Sequence, residues 1–224
     1  MPHSARPAHK ANHPAHVTLR VLKYIPSLRR DDLFVWVRHS IAATNQSECP
    51  RLGGDMFRIV EYSVQSNHIH LVVEAEDKKT MQSGMTSLAT RIARALNRAL
   101  CRSGKVWAGR YHVRALTVPR YVRNTLVYVL MNHFKHQVKR QAGERAGRSC
   151  QPTAAPYPNT FGVDGMSSAP YFNGFANEAD DEDRWRSATR HPSPVHAART
   201  WLLTCGWRRH GLVKCAMSGV SASV

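Results

Sequence analysis

The chain has 224 residues, 42% of them apolar and 21% charged, which allows a packed core and excludes a wholly disordered protein. Its 32 Lys and Arg against 15 Asp and Glu give a net charge of +17; up to residue 140 there are 23 basic and 8 acidic residues, and beyond it 9 and 7. A basic excess confined to one part predicts a polyanionic partner there, nucleic acid before membrane. No run approaches the roughly 18 apolar residues of a membrane span, and the opening MPHSARPAHKANHPAH lacks the apolar stretch of a secretory signal. Five scattered cysteines without a CxxC pair suit neither a disulfide framework nor a zinc knuckle. A cytoplasmic protein is expected, associated with the nucleoid if its partner is DNA.

Residues 1–15 are rich in His, Pro and Ala and predict a disordered basic lead-in. HVTLRVLKYI alternates as a strand, with Val17, Leu19 and Val21 on one side. Asp31 and Asp32 suit the start of a helix through LFVWVRHSIAA, since carboxylates favour the free amides of a first turn. Gly53, Gly54 and Asp55 mark a turn, and the strands FRIVEYSV and HIHLVVEA follow, joined near Gln65, Ser66 and Asn67. A helix is expected over about Lys79 to Cys101, stopping at Ser103 and Gly104. RYHVRALTV reads as a fourth strand, and Pro119 opens a helix through about Lys139. This order predicts an α+β fold, a ferredoxin-like split βαβ sandwich with an antiparallel four- to five-stranded sheet and an extra C-terminal helix, over residues 16–140. Residues 141–184, rich in Gly, Ala, Pro, Ser and Asn, read as a flexible linker. Residues 185–224 form a Trp/Arg tail whose WLLTCGW segment is expected to dock as a short helix, with its rings packed and its basic end exposed.

Chemistry concentrates at His68-Ile69-His70. Residues two apart on a strand share a face, so both imidazoles point one way while Ile69, Leu71 and Val73 point into packing. Two readings stay open for the pair alone: a divalent-metal clamp, or two partly exposed strand histidines. On the last helix, Leu126, Val127, Val129, Leu130 and Phe134 fall on a core-facing arc, and Tyr121, Tyr128, Asn132, Lys135, His136 and Lys139 gather on the opposite one. Tyr128 and Asn132, four apart, are neighbours on one stripe: a phenol able to attack a phosphodiester beside an amide able to complete a metal site. A histidine-triad phosphoesterase is discounted because Val72 stands where a third alternating histidine is needed.

HIHLVV followed about 60 residues later by YVLMN resembles the single-tyrosine HUH transposases, closest to the REP-associated tyrosine transposases. Ile69 matches the hydrophobic residue between the histidines, Tyr128 to Asn132 the tyrosine stripe, and RYHVRALTVPRYVR the family's strand and helix start. The similarity spans about Val17 to His136, with one departure: His133 stands where that branch usually carries Pro. The resemblance implies a metal-dependent enzyme that nicks and rejoins single-stranded DNA near imperfect palindromes. Tyr128 would be the nucleophile, forming a 5′-phosphotyrosine, and His68, His70 and Asn132 would hold Mg²⁺ or Mn²⁺. It also implies a mobile-element protein, with a monomer expected before a homodimer. The alternative is an inactive or domesticated relative that only binds DNA or RNA hairpins.

For the nucleic acid, Arg91, Arg94, Arg98 and Arg102 line up opposite the apolar stripe of the second helix, in a spacing that can track phosphates. Arg110, His112 and Arg114 share a face of the fourth strand and extend that basic surface, as do Lys135, His136 and Lys139 on the last helix.

Overall fold

The protein is described by a computed structural model over residues 9–47, 56–145, 164–176 and 192–214, with side chains in the last long helix described as far as Asn132. Strand β1 (Ala15–Arg20) leads to α1 (Asp31–Asn45), then β2 (Phe57–Val64), β3 (His68–Ala75), α2 (Lys78–Ala99), β4 (His112–Ala115) and α3 (Pro119–Arg145). The sheet order is β2-β3-β1-β4 and every pairing is antiparallel, so the expected split βαβ fold is present with β3 and β1 central.

Two apolar layers enclose the sheet. Val17 and Leu19 of β1 and Ile69, Leu71 and Val73 of β3 face α1 and α2, where Leu33, Val37 and Ile41 and then Met81, Met85, Leu88, Ile92 and Leu96 repeat at helical spacing. The other face carries Val60 and Val72, covered by Val122, Leu126, Val129 and Leu130 of α3. A bulge between Ile59 and Glu61 lets consecutive residues serve both layers, Ile59 inward to the first and Val60 to the second. Asn45 at the end of α1 fixes that bulge: its amide nitrogen donates to the Ile59 carbonyl at 3.0 Å and its oxygen accepts from the Ile59 amide at 2.9 Å.

Asp31 and Asp32 occupy the first turn of α1, as their charges favour. Asp77 caps α2, its carboxylate accepting the Thr80 amide at 2.7 Å. Gly84 allows α2 to settle on β2, since a Cβ there would collide with the Phe57 ring. The end of α2 departs from expectation. The left-handed residue is Cys101, at φ 48°, and the helix is closed by the Arg102 amide on the Asn97 carbonyl at 2.9 Å; Gly104 lies further along the loop.

The expected domain limits shift in three places. Ala15 already belongs to β1 and is buried, and His9 Nε2 lies 2.7 Å from the Ala75 carbonyl, so the end of the predicted lead-in packs along the sheet. The backbone alternation seen from residue 16 extends one residue earlier because β3 offers it a partner. The predicted linker 141–184 is in part structure: α3 runs to Arg145, and residues 164–176 lie against the domain. There Asp164 forms a two-point ion pair with Arg29 at 2.7 and 2.9 Å, and Ala169, Phe172 and Phe175 are buried. Sparse apolar residues in a polar context hide such a segment from composition. The fourth strand is also shorter than RYHVRALTV, and Arg110 precedes it at a bend.

The tail docks through a short helix as expected, but only one of its two rings is packed. Short helix α4 (Trp201–Thr204) and a 3₁₀ turn (Gly206–His210) pack Leu202, Leu203 and Trp207 into the layer under α3. Trp207 is buried with its Nε1 donating to the Leu203 carbonyl at 2.9 Å, while Trp201 stays half exposed beneath the Arg209 guanidinium. The Glu74 carboxylate of β3 accepts the Arg199 and Thr200 amides and the Thr200 hydroxyl, which pins the start of α4 to the sheet. The Gly53 turn, most of 1–15 and of 141–184, and Cys49, Cys150 and Cys215 lie outside the described residues. Cys101 and Cys205 are exposed free thiols.

Candidate active site

His68 and His70 stand at the head of a central strand, on the face away from α1 and α2. Their ring centroids are 4.6 Å apart and nearly perpendicular. His68 is half-buried at the sheet end and His70 is buried beneath α3. The intervening Ile69 is fully buried on the other face, as strand alternation requires.

α3 crosses this face and sets Tyr128 over His70. The Tyr128 hydroxyl is 3.3 Å from His70 Nε2, and the two rings meet edge to face at 4.9 Å. Tyr128 keeps 37% of its surface exposed, so the phenol borders both the histidine and solvent. Asn132, one turn further along α3, is buried, and its amide nitrogen has no hydrogen-bond partner among the described residues. The helical wheel had placed Asn132 with Tyr121 and Tyr128 on an exposed arc; Tyr121 and Tyr128 are exposed and Asn132 is not. Which arc of α3 is covered is a tertiary fact that the spacing of its apolar residues does not fix.

Two further side chains complete the cluster, and neither is among the sequence-predicted site residues. In the β1–β3 register, Thr18 lies opposite His70 and His16 opposite Val72. Thr18 Oγ1 and His16 Nε2 both approach His70 Nδ1 at 3.2 Å. The His16 ring lies 5.2 Å from that of His70 and 5.9 Å from that of Tyr128. Burial, with Arg114 nearby, pushes His16 down to about 4 from its usual 6.5 and keeps it neutral. His68 Nδ1 is engaged by Asn67 Oδ1 at 2.7 Å. The only sequence signal for His16 and Thr18 was the polar side of the β1 alternation, which names no partner until the register is known.

The donor set suits a divalent cation in kind: two imidazoles, and a buried amide whose nitrogen lacks a protein partner among the described residues. No cluster of three or more His, Cys, Asp or Glu among the described residues could hold one without that amide.

The basic residues divide between the two faces of the sheet. His112 and Arg114 pair with Thr18 and His16 in the β1–β4 register and share the face of the cluster; the Arg114 guanidinium covers the Tyr121 ring at 5.1 Å. Arg91, Arg94 and Arg98 are exposed on α2, beyond the opposite layer. Arg102 leaves that row: it lies past the end of α2, donates to Asn97 and the Lys105 carbonyl, and covers the Tyr24 ring, so it serves the helix end. A groove of about 860 Å³ between α2 and the β1–β4 half of the sheet has Arg94, Arg110, Trp107 and Tyr111 among its walls. Trp107 and Tyr111 pack against the first core layer. The side chains of Lys135, His136 and Lys139 lie outside the described residues.

Residues 37–132, from mid-α1 to Asn132, match the family model described as IS200-like transposase. Among solved structures, one of a REP-associated tyrosine transposase bound to a REP hairpin is 18% identical, with a TM-score of 0.48 over 61% of this chain and 74% of the other. A protein of Deinococcus radiodurans R1 named as a candidate transposase is 13% identical, with a TM-score of 0.37 over 64% and 95%. No curated protein sequence matches the chain. No helix among the described residues is long and apolar enough to cross a membrane.

Proposed function

We propose that this protein is a transposase that cleaves and rejoins single-stranded DNA beside hairpins through a covalent bond to Tyr128. The observation that carries the reading is the Tyr128 hydroxyl 3.3 Å from His70 Nε2 at a partly open surface. The Tyr128 oxygen attacks phosphorus, the bond from phosphorus to the 3′ oxygen breaks, and the strand is left with a free 3′-hydroxyl and a 5′-phosphotyrosine. Attack by another 3′-hydroxyl on that ester releases the phenol and joins the strands, and the phosphodiester energy is retained throughout. The phenol loses a proton as it attacks and the departing 3′ oxygen gains one, so the step is proton-neutral.

A phenol near pKa ~10 is mostly protonated at neutral pH and needs help to react. His70, whose Nε2 lies 3.3 Å from its oxygen, orients it. His68, His70 and Asn132 are the residues that would hold Mg²⁺ or Mn²⁺, which when bound supplies charge stabilisation for the scissile phosphate. Arg114 and His112 lie on the same face and would meet the phosphates nearest the cut, while Arg91, Arg94, Arg98 and Arg110 would bind strand or stem further away. All of the cluster comes from one chain, so a monomer suffices.

The test is incubation with labelled hairpin oligonucleotides bearing single-stranded flanks, with Mn²⁺ or EDTA, scored for denaturant-resistant protein–DNA adducts. Adducts formed by the native chain with Mn²⁺ and absent from Tyr128→Phe are expected. Hairpin binding without adducts under any metal would instead identify a binding protein that has lost the reaction.

A further inference from the structure

We infer that the docked tail and the start of α3 form one wall of the path taken by the single strand that Tyr128 cuts, with Arg120, Arg208 and Arg209 as its phosphate contacts. The identity of the strand rests on the proposed reaction; the surface itself rests on charge and placement. Residues 100–132 and 192–214 contain no Asp or Glu, and the second stretch lies outside the residues that the family model matches. A merely solvated surface mixes signs, whereas a field of one sign draws in a polyanion. Arg208 and Arg209 are exposed on the 3₁₀ turn. The Arg209 guanidinium lies 4.9 Å over the half-exposed Trp201 ring. That of Arg208 lies 5.2 Å over Trp207 and donates to Asn173 Oδ1 at 3.4 Å. The ion pairs among the described residues join Arg29, Arg30 and Arg58 to their carboxylates, and none involves Arg120, Arg208 or Arg209. Rings rather than carboxylates therefore hold the two cations of the turn, and their charge stays available to phosphate.

Placement ties this surface to the reacting phenol. Residues four apart on a helix share a stripe, and Arg120, Asn124 and Tyr128 are all exposed along one stripe of α3. On one flank of that stripe, Arg123 Nε donates to the Gly211 carbonyl at 2.9 Å and its Nη2 to the Leu212 carbonyl at 3.3 Å, which fastens the end of the basic turn to the helix. On the other flank stands Tyr121 under the Arg114 guanidinium of β4. The stripe is thus bordered by cations on both sides and leads to Tyr128. From Arg123 to Tyr128 the helix rises five residues, about 8 Å. A strand lying along the stripe therefore passes the tail turn within a few nucleotides of the cut, close enough for backbone contacts to hold it in line.

The experiment uses the full chain with EDTA present and reads binding by fluorescence anisotropy across a salt series. The probes are a labelled hairpin bearing a mixed-sequence single-stranded flank and the same hairpin without it. The triple variant Arg120→Gln, Arg208→Gln, Arg209→Gln is expected to lower the slope of log affinity against log salt on the flanked probe by about 2, three contacts at about 0.7 each. On the blunt hairpin its slope is expected to match that of the native chain. Replacement of the same three residues by Lys keeps the charge and is expected to preserve the native slope, which guards against a folding defect. An unchanged slope in the Gln variant on the flanked probe would overturn the inference, leaving the turn as a solvated face or one covered by the acidic run Glu178 to Asp183 of the same chain. An equal fall on both probes would overturn it too, by assigning the surface to the hairpin stem. A native chain that forms no adducts while the slope difference persists would remove the proposed reaction and leave the strand-binding surface standing.

Discussion

The Tyr128 hydroxyl touches His70 at the ring nitrogen opposite the one held by Thr18 and His16. A side chain from the last helix of the domain is thus aligned through a strand residue to the first strand, and three elements far apart in sequence meet at one imidazole. His70→Ala removes this junction and one proposed cation ligand together. Adduct formation is expected to fall at least ~100-fold, the scale of losing a group that acts on the transition state. Hairpin binding measured by gel shift should stay within a few-fold. Adducts at the native rate from His70→Ala would remove His70 from the reaction.

Asn132 supplies a test in which stability and activity part company. A buried polar group without a partner costs about 1–3 kcal/mol, and the Asn132 amide nitrogen is such a group among the described residues. Asn132→Leu, of similar size and without the unpartnered amide, is expected to raise unfolding free energy by ~1 kcal/mol in urea titration while abolishing cleavage. A residue retained at a cost to stability and needed for the reaction is a site residue. Lower stability in the Leu variant would mean that the amide serves packing instead.

The fold was readable because its elements announce themselves locally. FRIVEYSV and HIHLVVEA match the observed strands residue for residue, and the stripe from Met81 to Leu96 marks α2 by spacing alone. His68, His70 and Tyr128 were likewise accessible, because strand alternation and helical spacing fix which side chains share a face. His16 and Thr18 were not: their relation to His70 depends on which strand neighbours β3 and in what register, a long-range fact. Asn132 was misplaced for a related reason, since which arc of α3 is covered is set by long-range packing, and Arg102 was assigned to a DNA-facing row when local hydrogen bonds bend it back to the helix end.

Glu61 makes stability depend on pH. Burial raises its carboxyl from 4.5 to about 8, against the opposing hydrogen bond from Ser168. The folded chain therefore holds a proton that the unfolded chain releases above about 4.5, and this contribution is present in acid and lost as pH rises toward 8. His16 works in the other direction: its folded value near 4 lies below 6.5, so its contribution is present above 6.5 and lost as pH falls toward 4. The two slopes oppose each other in mild acid, and above 6.5 only that of Glu61 remains. Urea titrations from pH 6.5 to 8 should show stability falling, within a total Glu61 effect on the order of 3–5 kcal/mol. Glu61→Gln, which keeps a partner for Ser168, should flatten that fall; an unchanged slope in the Gln variant would place the titration elsewhere.

Salt dependence separates the two basic surfaces. Each phosphate neutralised on a single strand adds about 0.7 to the slope of log affinity against log salt. Arg91, Arg94 and Arg98 together should therefore account for about 2 units, lost in the triple Ala variant with adduct chemistry at saturating DNA unchanged. Arg114→Ala lies beside the cluster and should instead change cleavage more than affinity. Equal slopes for the native and triple-variant chains would leave α2 as a solvated face.

Trp207 connects the tail to the chemistry. It is 1% exposed, its ring lies 5.7 Å from Phe172, and it shares a packed layer with Val129 and Leu130, the residues that flank the Tyr128–Asn132 stripe. Gly174 is the floor of this contact, because a Cβ there would lie 2.5 Å from the Trp207 ring. Trp207→Ala removes a large buried ring and is expected to cost about 3–5 kcal/mol. The loss acts first on the side of α3 away from the histidines, so Tyr128 would no longer be pressed over His70. Cleavage at a temperature where the variant is still folded by circular dichroism should then drop while hairpin binding through β4 and α2 persists. If Trp207→Ala lowers the melting temperature and leaves the cleavage rate of the folded fraction intact, the sheet alone positions α3, and the tail merely covers it.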